Sequence, residues 1–144
     1  YAKPDARFFE SLFDVRSALE ARAVRLAAER RTAEHVRLMK YWLHQMELAD
    51  GNLEALGLSS LEIHRAVAES AGNALLRSVT GIVELTLALA LKSLDDPTRN
   101  DYARATLAAL TELVAAIEKG APDAAAAAID TVVALDNARA TTLL

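Results

Sequence analysis

The sequence contains no cysteine, so it has neither a disulfide framework nor a thiolate nucleophile. It is also poor in aromatic residues, which form 5% of the chain, and it has only five glycines and three prolines. The longest apolar run, residues 79–91, contains Glu84 and is too short to span a bilayer. No secretory leader is visible. We therefore expect a cytoplasmic protein without a membrane span.

A basic surface is also missing from this chain. Sixteen Lys and Arg residues stand against 20 Asp and Glu residues, which gives a formal net charge of −4. Nucleic-acid binding requires a basic footprint, so we do not expect the chain itself to contact DNA or RNA. Its 144 residues, 53% of them hydrophobic, suit a single domain over 1–144 with apolar surface left for a cavity or a subunit contact.

Alanine and leucine dominate the sequence, and both favour helices. The spacing of apolar residues predicts an all-α fold, an antiparallel bundle of about six long helices. Residues 85–91 alternate like a strand, but their composition favours a helix that is apolar nearly all round and therefore central and buried. The predicted helices run from about 4–31, 32–50, 59–72, 73–94, 99–119 and 122–140, with one helical turn at 53–56 and turns at 51 and 95–97.

Several motifs occur in a recognisable order. Residues 12–20 contain Arg-x-x-Leu-Glu, and residues 64–76 contain His-x₆-Ala-x-Asn-x-Leu-Leu. Ala116-Ile117 is followed by Gly120. Together these motifs resemble the FCD domain, the C-terminal effector-binding domain of GntR-family transcription regulators of the FadR type. The resemblance covers nearly the whole chain.

This resemblance implies an all-helical domain that binds a small-molecule effector and forms a homodimer. It also implies an N-terminal winged-helix domain, which is absent from this chain and through which alone the full-length protein would bind operator DNA. The first residue, Tyr1, is not methionine, so we expect the chain to be a fragment or a processed form. Exposed apolar residues are the candidates for the dimer contact, either Tyr41 and Trp42 or the face around Leu135.

Many members of the family hold a divalent metal with one aspartate and three histidines, and the resemblance assigns His64 to the first histidine. The aspartate position, four residues earlier, is Ser60, and the second histidine position is Leu110. The third histidine position falls at residues 132–134, and none of these residues is a metal ligand. We therefore expect no metal cofactor, although a rebuilt site of His64 with Glu84 stays open.

Six residues are candidates for contact with an effector. Arg16 either binds an anionic group or forms an ordinary pair with Glu20 one turn along its helix. His64 is either a buried neutral histidine with a hydrogen-bond partner or a donor to the effector, whereas His35 and His44 are expected to face solvent. The candidate ligand-binding residues are Arg16, His64, Arg77, Thr80, Glu84 and Leu110.

Three of these candidates form a polar line along the long apolar helix, at Arg77, Thr80 and Glu84. Buried polar groups need partners, so this line must meet solvent, another helix or a ligand. Thr80 has the simpler alternative of bonding back to its own helix. Gly81 beside this line would allow another helix or a ligand to approach closely.

Leu110 in place of a metal ligand predicts a dry cavity and a fairly apolar organic acid as effector. The sequence gives little support to an enzyme, because it has no nucleophile with a nearby base, no paired carboxylates and no glycine-rich phosphate loop. The main alternative to an effector-binding domain is a purely structural helical dimerisation module without a ligand. A cavity of a few hundred cubic ångströms would distinguish the two.

Overall fold

The computed structural model describes residues 4–92 and 99–144, and these described residues form six α-helices and no β-strand. The predicted all-α bundle of six helices is confirmed, including a helix over residues 85–91. The turn predicted at 95–97 lies outside the described residues. The helices are α1 (Ala6–Arg30), α2 (Ala33–Leu48), α3 (Leu53–Ser70), α4 (Ala74–Lys92), α5 (Arg99–Glu118) and α6 (Pro122–Leu143).

Polar side chains cap the beginnings of several helices. Thr32 accepts a hydrogen bond from the His35 backbone N–H, and the His35 side chain accepts one from the Thr32 N–H, which forms a capping box. Asn73 caps α4 by accepting a 2.9 Å hydrogen bond from the Leu76 backbone N–H. The helix starts predicted at Thr32 and Asn73 are therefore confirmed. His35 has a structural role at this cap.

Helix α3 is longer than predicted. The sequence indicated a single turn at 53–56 and a separate helix from Ser59 or Ser60, whereas the structure has one continuous helix from Leu53. The prediction was wrong because the helix continues without a break through residues 57 and 58. A side-chain Cβ at Gly57 would contact nothing within 4 Å, and the helix continues through this partly buried position. Asn52 supplies the N-cap for the whole helix.

Helix α1, rather than α4, is the centre of the bundle. It packs against α3, α4, α5 and α6, while α2 packs against α3 and α5. Burying each large apolar side chain of this core contributes roughly 1.5–3 kcal/mol relative to leaving it exposed. The fully buried apolar side chains that fill the core include Val24, Met39, Met46, Ile63, Val67, Leu110, Leu113, Val114, Ile117, Ile129 and Val132.

Helix α4 was predicted to be central and buried, and that prediction is wrong. Its outer face exposes Leu75, Ile82, Leu85 and Leu89 by 51–75% of their surface. Among the described helices, α4 alone is long and apolar enough to cross a membrane by length and composition, with 33% of that stretch buried in the bundle. The apolar content of α4 therefore serves two faces, one packed on α1 and α3 and one uncovered.

Candidate functional site

Two charged residues interrupt the apolar stripe by which α1 faces the core. The buried positions of this helix recur every three or four residues through Phe9, Phe13, Arg16, Glu20 and Ala23, so the pattern places both charges inside. Arg16 is 1% exposed and Glu20 is 3% exposed. Buried charges require partners, which neighbouring helices must supply.

Arg16 joins α1 to α4 and α6 through two carboxylates. Its Nε donates to Glu84 Oε1 at 2.6 Å and its Nη2 donates to Glu84 Oε2 at 3.1 Å, a two-pronged contact. Its Nη1 donates to Asp136 Oδ2 at 2.7 Å. The ordinary pairing of Arg16 with Glu20 is therefore not what holds this guanidinium, because Glu84 and Asp136 take its donors.

His64 of α3 lies between two glutamates that come from two other helices. Its Nδ1 is 3.8 Å from Glu20 Oε2, and its Nε2 is 3.8 Å from Glu84 Oε2. Both distances exceed those of hydrogen bonds. His64 is 6% exposed, and its Nδ1 has no hydrogen-bond partner. One prediction was that His64 is a buried histidine with a hydrogen-bond partner. For its Nδ1 atom that prediction is not met.

Helix α5 adds a phenol to this polar centre. The Tyr102 hydroxyl donates a short hydrogen bond to Asp136 Oδ1, and the Arg139 guanidinium lies over the Tyr102 ring at 4.4 Å from its centroid. Thr106, one turn along α5, is 2% exposed and its Oγ1 has no hydrogen-bond partner. We use "polar centre" below for Arg16, Glu20, His64, Glu84, Tyr102 and Asp136.

The polar centre shifts the acidity of its own groups. Burial disfavours the charged form of Glu20, but His64, Glu84 and Arg16 together outweigh burial and lower the pKa of Glu20 to about 2. Burial opposes protonation of His64, yet Glu84 and Glu20 together raise its pKa. Burial raises the pKa of Glu84 despite the opposing charges of His64 and Arg16. Burial and the Asp136 carboxylate raise the pKa of Tyr102.

The structure brings together three of the six predicted ligand-binding residues, namely Arg16, His64 and Glu84. Thr80 bonds back to the Leu76 and Arg77 carbonyls, as its simpler interpretation predicted. The half-exposed Arg77 lies 3.5 Å from Glu69 at the surface.

Two further expectations concern packing rather than charge. Leu110 is fully buried within the hydrophobic core. A Cβ at Gly81 would contact nothing within 4 Å, so no other element of the described chain approaches Gly81 closely.

Sequence reasoning did not identify Glu20, Tyr102 and Asp136 as members of the site. The sequence did contain a signal for Glu20 and Asp136, because each interrupts a row of apolar residues on the buried face of its helix. Asp136 continues the spacing of Ile129 and Val132 along α6. Tyr102 had no comparable signal, since its role depends on where α5 meets α6.

The donor set expected for a metal of this family does not fit this chain. Ser60 and Leu110 occupy two of the donor positions, and Val132 and Val133 of the third region are buried apolar residues. A different set is present in the described part of the chain. Glu20, His64 and Glu84 each offer one ligand atom, and these atoms lie within 4.8 Å of one another. Imidazole nitrogen and carboxylate oxygen are donors that first-row divalent metals accept.

Two surface cavities on the described residues do not reach the polar centre. One has a volume of about 350 Å³, lies between α1 and α4, and is lined by Leu19, Arg22, Leu26, Arg30, Asn73, Leu75, Leu76 and Val79. The other, of about 290 Å³, lies where the end of α2 and the start of α3 meet α5, and Met46, Asp50 and Arg104 are among its lining residues. Both volumes are close to the lower limit for small-molecule sites.

The protein is an all-helical bundle that contains a buried cluster of charged side chains. The sequence pattern of the FCD domain family matches residues 11–135, so the chain belongs to that family, as its motifs predicted. Among solved structures the fold is similar to that of Streptococcus agalactiae GntR, with a TM-score of 0.77 and 24% identity. The match covers 92% of this chain and 59% of that one, so the chain spans about three fifths of its length. No curated protein matches the sequence.

Proposed function

We propose that this chain is the effector-binding and dimerisation domain of a GntR-family transcription regulator of the FadR subfamily. It acts as a single domain in the cytoplasm without catalysing a reaction. A winged-helix domain N-terminal to it in the full-length protein binds the operator. The observation that carries this proposal is the polar centre of an FCD-family bundle, in which one arginine of α1 binds carboxylates of α4 and α6.

A buried ion network of this kind supports a switching role. Replacing buried ion pairs by well-packed apolar side chains is often neutral or stabilising, so stability alone is a weak reason for such a network. Arg16 and His64 connect α1, α3, α4 and α6, so a change in the polar centre would alter how these helices sit relative to one another. A ligand shifts such an equilibrium only through different affinities for the two arrangements.

The groove between α1 and α4 supports a fairly apolar organic acid as the effector. Leucine and valine side chains line most of it, while Arg22 and Arg30 supply positive charge. Arg30 already donates a 2.9 Å hydrogen bond to the Ala71 carbonyl, which leaves Arg22 as the main candidate to bind a carboxylate. Because this groove borders α4, an occupied groove would act on the same helix that carries Glu84.

The outer face of α4 supports a homodimer with a self-complementary contact. Leu75, Ser78, Ile82, Leu85 and Leu89 follow one another at alternating spacings of three and four, and all five are exposed. This is the spacing of an apolar seam that packs against a second helix. We define these five residues as the α4 seam. It is a better candidate than Trp42 with Tyr41, because Trp42 is half-buried, or than Leu135, which packs against the core.

Equilibrium binding of a carboxylate panel tests the effector assignment. We expect saturable binding of medium-chain fatty acids or aromatic acids, and none of citrate or lactate, measured by calorimetry on the purified chain. R22E should weaken binding by about tenfold, the loss of one modest charge-assisted contact. R7E reverses an exposed charge of α1 outside the groove and should have no effect.

Two outcomes would contradict this assignment in different ways. Tight binding of citrate or lactate, without binding of the longer acids, would refute an apolar effector. Binding of no acid at all, by a chain that still dimerises, would support the alternative of a purely structural dimerisation module.

A further inference from the structure

The smaller of the two surface cavities, of about 290 Å³, is separate from the groove that we assign to the effector. It lies where the end of α2 and the start of α3 meet the first turns of α5, and we call it the α2–α5 cavity. It shares no lining residue with the groove between α1 and α4 or with the polar centre. The effector function proposed above therefore does not use it.

The floor of the α2–α5 cavity is apolar. Met46, Leu56 and Ala103 line it and are at most 8% exposed, so all three belong to the hydrophobic core. Leu107, one turn further along α5, packs against that core and also lines the cavity. A hydrocarbon group that reaches this floor is removed from water, which favours binding. The floor therefore suits a short apolar side chain.

The rim of the cavity carries charges of both signs on opposite sides. Glu47 is at the end of α2, Asp50 is in the turn that follows, and Arg104 is on α5; all three are exposed. Within the described part of the chain, no ion pair joins Arg104 to either carboxylate, and the neighbour of Glu47 is His44 at 3.7 Å. The cavity thus separates one cation from two carboxylates. A ligand that carries both charges could bridge them with charge-assisted hydrogen bonds.

The turn between α2 and α3 forms one wall of the cavity. Gly51 has a φ of 83°, and a Cβ at this position would lie 3.3 Å from Oδ1 of Asn100, so the turn approaches α5 closely here. Among the residues that the structure describes, Asp50 is the one non-glycine residue with a positive φ, of 42°. Side chains rarely adopt this conformation, and such strained positions cluster at binding sites.

We propose that the α2–α5 cavity binds a free α-amino acid with a short apolar side chain. The carboxylate of the amino acid binds the Arg104 guanidinium, and its ammonium group donates to Glu47 and Asp50. Its side chain packs on Met46 and Leu107. The volume of the cavity is close to the lower limit for small-molecule sites, so it suits a ligand of this size better than a long-chain acid. The bound amino acid connects the end of α2 to α5.

A ligand with one of the two charges fits the rim less well. A simple carboxylic acid brings a negative charge toward Glu47 and Asp50 and offers them no donor, whereas a simple amine leaves Arg104 without an acceptor. Glycine has both charges but no side chain for the apolar floor. Each part of the proposed ligand can therefore be tested by a molecule that lacks it.

Titration of the isotope-labelled chain, followed through its backbone amide chemical shifts, tests this site. The probes are L-leucine and L-methionine, and we expect saturable shifts that cluster at the cavity residues of α2, the turn and α5. Isocaproate is leucine without its amino group, and isoamylamine is leucine without its carboxylate. Each should bind at least about tenfold more weakly than leucine, because each loses one charge-assisted contact. Glycine should cause no saturable shift.

Two variants test the rim from the side of the protein. R104Q removes the cation, and the double variant E47Q/D50N removes both carboxylates. Each should weaken leucine binding by at least about tenfold. The matched control is R65Q, which removes an exposed arginine of α3 outside the cavity and should leave the affinity unchanged. Circular dichroism checks that each variant folds, and if R104Q does not, the comparison of leucine with isoamylamine on the wild-type chain decides the question.

Several results would overturn the proposal. One is the absence of saturable shifts at the cavity with both amino acids, and another is shifts that map to the groove between α1 and α4 instead. It also fails if isocaproate or isoamylamine binds as tightly as leucine, or if R104Q binds leucine as tightly as wild type. Each of these outcomes leaves the proposed regulatory function standing, because acid binding in the groove and dimerisation are measured separately.

Discussion

The two faces of α4 both depart from the usual distribution of polarity in a protein. The inner face carries Glu84 into the bundle, where Arg16 binds it, whereas the outer face exposes Ile82, Leu85 and Leu89. Charged residues are rarely buried and large apolar patches are rarely exposed unless they have a partner or a role. The comparison teaches that α4 has two different environments, an ion network on its inner face and an apolar outer face that the described part of the chain leaves uncovered.

Removing the arginine should have the largest effect on the inner face. R16M would leave the Glu84 and Asp136 carboxylates buried without their partner, so we expect the free energy of unfolding to fall by about 3–5 kcal/mol. Urea denaturation measures this change. The matched control is R25A, which removes the exposed pair of Arg25 with Asp123 and should lower stability by no more than about 1 kcal/mol. Equal losses in the two variants would show that the buried network is not special.

Substitutions on the outer face should have the opposite effect: they should weaken dimerisation and leave the stability of the folded chain unchanged. The double variant I82E/L85E places two charges in the α4 seam, and each buried anchor of an interface contributes about 2 kcal/mol or more. The dimer dissociation constant should therefore rise by about a thousandfold. Sedimentation equilibrium measures it, and far-UV circular dichroism should stay unchanged. Y41E alters an exposed aromatic residue of α2 and serves as the control, so a dimer disrupted by Y41E instead would move the interface to α2.

A smaller effect is expected at the rim of the polar centre. Y102F removes one hydrogen bond to Asp136, which retains its contact with Arg16. Hydrogen bonds to charged groups contribute about 1.5–3 kcal/mol, and we expect a loss in thermal or urea unfolding near the lower end. Y41F, at an exposed ring, should change stability by less than about 0.5 kcal/mol. A neutral Y102F would mean that α5 takes no part in the network.

The mildest change comes from pH in the absence of metal. The pKa of His64 is raised in the folded state, so its stabilising contribution is complete below the ordinary pKa of 6.5 and is lost as pH rises through the folded value. Glu20, Glu84 and Arg16 are the charged groups that face it. Stability should fall with a slope below about 1.4 kcal/mol per pH unit, the limit for one proton.

Acid should act on the same centre through Glu20. Its pKa is lowered to about 2, so its contribution is present above the ordinary value of 4.5 and is lost between 4.5 and about 2. Urea unfolding across pH in the presence of a chelator measures both arms. H64Q should flatten the alkaline arm and E20Q the acid arm. If wild type and H64Q lose stability equally as pH rises, the assignment of this proton to His64 is wrong.

Local sequence signals predicted the fold well where they depend on neighbouring residues. Thr32 and Asn73 marked helix starts through short-range hydrogen bonds, and Pro122 marked the first residue of α6. The prediction of α3 left a break around Gly57, although a glycine lowers helix propensity by only about 1 kcal/mol and tertiary packing overrides it. Hydrophobicity alone also could not distinguish a core helix from one that keeps an uncovered apolar face, which is why α4 was misplaced.

The site was less predictable, because its contacts join distant parts of the chain. Arg16 binds Glu84 and Asp136, which are 68 and 120 residues away. Spacing places a charge on a buried face but does not say which opposite charge it meets. The sequence identified Arg16, His64 and Glu84 as candidates, while their mutual geometry depended on the packing of α1 against α3, α4 and α6.

Native mass spectrometry of the protein as purified, without added ligand or chelator, tests the central claim most directly. The claim is that this 15.5 kDa FCD-family chain pairs through the outer face of α4 and responds to an occupant of its groove. The account predicts a dimer that retains the extra mass of an organic acid. A monomer that carries no extra mass would contradict it.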